Sequence, residues 1–486
     1  MSIERKALSA LKWATAAKLV VQVISWAGTL VVVRLLTPED YGLMAKVSVV
    51  CAIAGAIAEL GLGAAIVRWV DVTRDDLRKI CGVSLVFGAA LTAMIIALAP
   101  VLAQLFREPR LTFPIAVAAL QIIIGAVAII PSSLATRDLS FRRLSQIEIV
   151  SGVAAISVTV LLAALGVGVW ALVIGTLSGA VARSAGLLMY GERVWPHFSL
   201  HGIGEQLKFG LTLVGNRVSY FIVVQSDVLI GSAFLSTTAI GRYSVALQLA
   251  TLPMSKIMGT INQIALPAMA RQQDDPLRLR QSVLRSVGLL SFIAFPTLWG
   301  ISAVAPELVR ALFGDKWLES IPALTILPLV VPLRMICSIL FTTSLALGNR
   351  QLDLRNTAAN FVLLPSGFFI GAHWGLEGLC AAWLISVPLA YAFSVPSVIR
   401  FIGVRPQDLI AECGAPAIAA GVMYAAVSML RMALHGQPAI AMLFVLSIAG
   451  GIVYFAAMAL ISRRHLISAR SFAGSILVRD EPKTAG

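Results

Sequence analysis

Ala99-Pro100-Val101-Leu102-Ala103-Gln104-Leu105-Phe106 is echoed further along the chain as Ala305-Pro306-Glu307-Leu308-Val309-Arg310-Ala311-Leu312-Phe313. Working outward, Arg137-Asp138-Leu139-Ser140-Phe141-Arg142 is answered by Arg350-Gln351-Leu352-Asp353-Leu354-Arg355. Gly166-Val167-Gly168-Val169-Trp170 is answered by Gly371-Ala372-His373-Trp374-Gly375. Three matches in the same order, displaced by 205 to 213 residues, indicate one plan used twice. The segments between them are long and apolar. A duplicated bundle of spanning helices predicts two lobes with a cavity between them, as in many secondary transporters.

Composition sets the class. Of 486 residues, 58% are hydrophobic and 13% charged, and the mean hydropathy is +0.89. A soluble protein carries about 25% charged residues. The net charge of +14 does not point to nucleic acid, because the basic residues lie between apolar stretches, not on one solvated face. The basic start, Met1 to Lys12, is followed by a span without a small-residue cleavage pattern, so no signal peptide is expected. Cys51, Cys81, Cys337, Cys380 and Cys413 all fall in apolar segments without paired spacing and read as small core residues.

Fourteen spans are expected, near 11–33, 43–66, 80–104, 113–134, 147–165, 169–190, 209–233, 241–266, 283–304, 321–347, 355–373, 376–396, 413–433 and 439–461. The fold class is therefore an all-α polytopic membrane protein, with two pseudo-symmetric six-helix lobes around a central cavity and two extra C-terminal helices. The expected divisions are an N-lobe (1–190), a linker (191–208), a C-lobe (209–396), spans 13 and 14 (397–462) and a tail (463–486). With the N terminus in the cytoplasm, twenty-four of the 38 basic residues fall on the cytoplasmic side and seven on the other. The positive-inside rule then predicts both termini in the cytoplasm. Each copy holds an even number of spans, so both insert in the same sense about an axis normal to the membrane.

Seven basic residues remain inside the spans: Lys18, Lys46, Arg183, Arg217, Lys256, Arg285 and Arg334. Arg183 and Arg285 sit near cytoplasmic ends and can snorkel. A charge at mid-bilayer costs at least about 2.5 kcal/mol, so the other five are expected to face water or a partner. Lys18, Gln22, Ser25 and Thr29 share one helix face in span 1. Asn216, Tyr220, Val223 and Asp227 repeat that spacing in span 7, while Lys256, Thr260 and Gln263 follow it in span 8. Polar stripes can serve only to bind helices to one another, but five cations against few acids favour a cationic cavity lined by Lys18, Lys46, Arg217, Lys256 and Arg334. Glu59 and Asp227 are the deep carboxylates, expected either to balance these charges or to take up a coupling proton or cation. Pro322, Pro328 and Pro332 predict a kinked or broken span 10 just before Arg334.

No phosphate-binding loop, HExxH, paired-cysteine ligand set or nucleophile elbow occurs. No metal, cofactor or catalytic activity is expected, and transport would draw on a gradient or on downstream consumption of the product.

Leu36-Thr37-Pro38-Glu39-Asp40-Tyr41-Gly42-Leu43, followed by Glu59-Leu60-Gly61-Leu62, resembles the polysaccharide flippases of the Wzx/WzxC type. Leu312-Phe313-Gly314-Asp315-Lys316-Trp317 resembles their second-lobe loop. These flippases belong to the multidrug/oligosaccharidyl-lipid/polysaccharide exporter superfamily. The resemblance implies alternating access in a bacterial inner membrane. It also implies a cargo of undecaprenyl-diphosphate-linked oligosaccharide, moved from the cytoplasmic to the periplasmic leaflet, with a polysaccharide polymerase and export machinery as possible partners. A cationic cavity suits a diphosphate. A drug exporter of the same superfamily would favour an acidic, aromatic cavity, and a membrane glycan polymerase would need a large outer loop.

Overall fold

The computed structural model describes residues 26–59, 61–63, 66, 73–138, 140–191, 194–199, 204–270, 275–434 and 436–467. Among the described residues there is no strand. The helices are α1 (Trp26–Leu35), α2 (Pro38–Ala58), α3 (Arg74–Leu105), α4 (Thr112–Arg137), α5 (Phe141–Ala164), α6 (Val169–Tyr190), α7 (Gly204–Val224) and α8 (Ser226–Phe234). They continue as α9 (Thr237–Ala270), α10 (Pro276–Ala303), α11 (Ile321–Ala346), α12 (Arg350–Ala372), α13 (Gly375–Ile402), α14 (Pro406–Ala433) and α15 (Ala439–Ile461). Every expected span coincides with a helix over most of its described length, with α7 and α8 sharing span 7. Among the described residues, ten helices are long and apolar enough to cross a membrane. The chain is a multi-pass membrane protein.

Two compact units emerge, Met1–Gly241 and Arg242–Gly486, and the boundary between them falls within α9. In the first, α4 packs on α3 and α6 on α5, around a core that includes Leu43, Val47, Ile95, Ile115 and Val173. In the second, α10 packs on α11 and α14, around Val283, Leu290, Met335, Leu340 and Val398. Spans 13 and 14, α14 and α15, build a further cluster with Met423, Leu446 and Tyr454, whose hydroxyl donates to the Phe292 carbonyl of α10 at 2.8 Å.

The two units share a local motif. Each contains a hairpin held by small residues, α5–α6 in one and α12–α13 in the other. At Gly175 of α6 a Cβ would meet the Thr159 hydroxyl, and at Gly367 of α12 it would meet the Ser386 hydroxyl. Small residues allow such close helix approach where lipid supplies no hydrophobic drive.

Local sequence explains the helix ends. Thr37 and Asp40 form a capping box at the start of α2, with Pro38 in the first turn, and Thr73 and Asp76 do the same for α3. Helix α3 closes with the Glu108 amide on the Ala103 carbonyl and the Arg107 amide on that of Gln104, and Arg107 is left-handed at φ 52°.

Span 10 is not broken. Helix α11 runs continuously through Pro328 and Pro332. The carbonyls three residues before each proline, Thr325 and Leu329, accept hydrogen bonds from Ser302 and, at 3.1 Å, from Trp299 Nε1, both on α10. These two bonds tie α11 to α10 beside each proline. The interruption comes instead in span 7, at Gln225 between α7 and α8. There Ser226 Oγ donates to the Val223 carbonyl at 2.7 Å, and Asp227 Oδ1 accepts from the Val228 amide at 2.7 Å. Side chains that bond their own backbone compete with helix continuation.

Candidate functional site

Glu59 lies at the C-terminal cap of α2, and its carboxylate forms an ion pair with the Arg217 guanidinium of α7. Both side chains are about half exposed. At a rise of about 1.5 Å per residue, Glu59 sits about 30 Å below the start of α2, and Arg217 about 25 Å below the end of α8. The two sit at matching depths, with α2 packed against both halves of span 7. The pair joins two sequence candidates of opposite sign.

Arg334 is half-buried thirteen residues into α11, and its guanidinium carbon lies 4.5 Å from the centroid of the Trp383 ring on α13. Trp383 is itself fixed: its Nε1 donates to the Tyr243 hydroxyl at 2.7 Å, and Phe368 packs 5.1 Å away. Among the described residues no carboxylate reaches Arg334 within ion-pair distance. Stacking a desolvated guanidinium on tryptophan is worth about 2 kcal/mol, close to the lenient cost of about 2.5 kcal/mol for a mid-membrane charge. The ring can therefore hold the cation in place without neutralising it.

Lys46 has a different setting. Only 2% exposed, two turns into α2, its Nζ donates to Thr237 Oγ1 at 2.9 Å and to the Phe106 carbonyl at 3.4 Å. Thr237, first residue of α9, passes a hydrogen bond on to Glu108 Oε2 at 3.0 Å. Arg110 grips the same carboxylate through Nε at 2.7 Å and Nη2 at 3.1 Å, and reaches Glu39 of α2 at 2.5 Å. The hydrogen bond from Arg110 holds the Glu108 carboxyl below its ordinary value, against a smaller opposing effect of burial. Glycines admit this closeness: a Cβ on Gly42 would lie 1.8 Å from the Thr237 carbonyl oxygen, and one on Gly241 1.7 Å from that of Pro38. Thr237, Glu108 and Arg110 were not among the sequence candidates. The local signal for Glu108 and Arg110 is the short acidic–basic loop after the Ala99–Phe106 repeat; Thr237 has none.

Asp227 is 1% exposed in the first turn of α8 and bonds backbone at the break. Lys18, Gln22 and Ser25 lie outside the described residues, as do the side chains of Asn216, Lys256, Thr260 and Gln263. In the second-lobe loop a π-helical turn, Val309–Phe313, leads through Gly314 (φ 89°) to the buried Trp317. Phe313 and Trp317 meet edge to face at 6.2 Å. Among the described residues no cluster of His, Cys, Asp and Glu could hold a metal.

Comparison with known proteins places these features in a lineage. The chain is 26% identical over 408 residues to a membrane protein of the cps region of Klebsiella pneumoniae, covering 82% of this chain and 84% of that one. It is 23% identical over 394 residues to the lipopolysaccharide biosynthesis protein WzxC of Escherichia coli, covering 79% of each. Its fold is similar to that of the lipid II flippase MurJ in an inward closed conformation. That similarity has a TM-score of 0.77 at 14% identity and covers 93% of this chain and 99% of that one. Residues 31–322, more than half the chain, match the family described as polysaccharide biosynthesis protein, and to that family the chain belongs.

Proposed function

We propose that this protein is a transporter that flips undecaprenyl-diphosphate-linked oligosaccharide from the cytoplasmic to the periplasmic leaflet by alternating access. It would serve exopolysaccharide, capsule or O-antigen assembly. Its family, its WzxC-like relatives and its flippase-like fold support this reading. The site observation that carries it is Arg334, a half-buried intramembrane cation positioned by Trp383 and left without a carboxylate among the described residues. A diphosphate supplies the anion that such a guanidinium binds in a bidentate fashion.

Arg217 is the second headgroup ligand in this scheme. Glu59 balances its charge when no cargo is bound, and the diphosphate competes for the same guanidinium. Lys18 and Lys256 complete the cationic field. Lys46 acts through the fold, holding the α2–α9 junction. Asp227 is the other candidate for coupling or charge balance. The positive-inside bias supports an inner-membrane location with both termini cytoplasmic, and a downstream polymerase would draw the product forward. Six-helix lobes at 1–190 and 209–396, joined by the 191–208 linker, are the repeat units of the proposal.

The test is the double variant Arg217→Gln, Arg334→Gln. Polysaccharide export should stop while the protein still inserts, and lipid-linked intermediates should accumulate on the cytoplasmic face. Normal export from an inserted double variant overturns the assignment.

A further inference from the structure

Where α4 ends and α5 begins, the turn through Arg137 and Ser140 and the end of α6 enclose a cavity of about 360 Å³. None of its residues belongs to the headgroup field proposed above. Its base is apolar and buried, with Ile147 at 7% exposure and Leu187 at 2%. Its rim is polar: Arg137, Arg143, Ser140 and Tyr190 all line it. The floor is rigidly seated, because a Cβ on Gly191 would lie 2.6 Å from the Pro131 Cβ, so the end of α6 sits directly on α4.

Two guanidiniums above an apolar base are complementary to an amphiphile with an anionic head. Arginine binds phosphate oxygens through paired, charge-assisted hydrogen bonds, and the Ser140 and Tyr190 hydroxyls add donors. Asp138 also lines the cavity, and Arg143 is exposed on its rim. The surroundings are apolar too: Met189 and Tyr190, in the last turn of α6, are exposed, as is Val150 on α5. The duplicated turn in the second unit is finished differently. There Asn349 Oδ1 accepts from the Leu352 amide at 3.3 Å, whereas Ser140 makes no capping bond to α5. Charge distribution assigns this end of unit 1 to the cytoplasmic side.

We infer that this cavity binds the phosphate of a membrane lipid in the adjoining leaflet. A phosphate ester is offered there by two sources, an anionic glycerophospholipid or a polyprenyl diphosphate. The site stands whether or not the transport reading holds, since its test reads binding and not export.

The purified full-length chain, stripped of lipid, is exposed to phosphatidylglycerol, to undecaprenyl diphosphate and to phosphate-free diacylglycerol, and bound lipid is counted by native mass spectrometry. The wild type should retain one phosphate lipid that diacylglycerol does not replace. Arg137→Gln with Arg143→Gln should weaken retention by about tenfold or more, since hydrogen bonds to charged groups contribute about 1.5–3 kcal/mol each. Ala135→Leu, which fills the cavity and keeps both charges, should weaken it too, and guards against misfolding of the double variant. Preference for undecaprenyl diphosphate identifies a cargo-docking site, and preference for phosphatidylglycerol a phospholipid site. Equal retention by the wild type and the folded variants, or by diacylglycerol and the phosphate lipids, overturns the inference.

Discussion

Arg217 of α7 and Glu59 at the cap of α2 form an ion pair while each remains about half exposed. Exposed pairs contribute about 0–1 kcal/mol, so the contact holds charge in place more than it holds the fold. Glu59→Gln should therefore shift stability by less than about 1 kcal/mol and leave export within a few-fold of wild type, whereas Arg217→Gln should lose it. Export assays with membrane-level controls separate the outcomes. If Glu59→Gln proves as damaging as Arg217→Gln, the carboxylate is a coupling group and not a balancing one.

Lys46 is predicted to matter for stability. Replacing it with Met removes the charge-assisted bonds to the half-buried Thr237 hydroxyl and to the buried Phe106 carbonyl. The expected cost is about 1.5–3 kcal/mol, read as a lower midpoint of thermal unfolding in detergent. An unchanged midpoint contradicts the role assigned to this network.

Acid should act through Glu108. Its folded-state value is depressed, chiefly by the hydrogen bond from Arg110, below the ordinary 4.5. A depressed carboxylate contributes stability that is fully present above its unfolded value and is lost as pH falls through its folded value. Thermal stability should thus fall in acid below about pH 4.5, and Glu108→Gln should flatten that part of the profile. Parallel profiles for wild type and variant would count against it.

The glycine contact gives a steric prediction. Gly42→Ala or Gly241→Ala drives a methyl into a backbone carbonyl, which cannot swing aside as a side chain can. Overpacking of this kind costs about 1–3 kcal/mol, and expression and unfolding midpoint should both drop. Gly55 in the same helix faces open space, so Gly55→Ala should raise stability by about 0.5–1 kcal/mol. Equal effects at positions 42 and 55 would falsify the packing account.

Most helices were legible because they are long apolar runs bounded by basic or turn residues, while α2 starts at the Thr37-Asp40 capping box, five residues before the span expected from 43. What escaped was long-range or counter to rule. Lys46 was expected among the cavity cations, and its acceptor Thr237, 191 residues away, is announced by no local pattern. The interruption of span 7 falls at Gln225, where neither proline nor glycine marks it, and only Ser226 and Asp227 hint at side-chain competition for the backbone. The prolines of span 10 do not break it: α11 runs on through Pro328 and Pro332, and Trp299 and Ser302, on a different helix, bond carbonyls beside them. Arg334 lies thirteen residues into α11 and its anchor is an aromatic ring, and ring stacking between α11 and α13 leaves no trace in periodicity.

The joint at Gln225 makes a lever of α7. Arg217 lies eight residues below it, an arm of about 12 Å at 1.5 Å per residue. A swing of about 10° about that fulcrum would carry the guanidinium about 2 Å, enough to open its contact with Glu59. Helix α8 could stay anchored meanwhile by the backbone bonds of Ser226 and Asp227. A small rotation at one residue would then exchange a carboxylate for a phosphate without unseating the rest of the span.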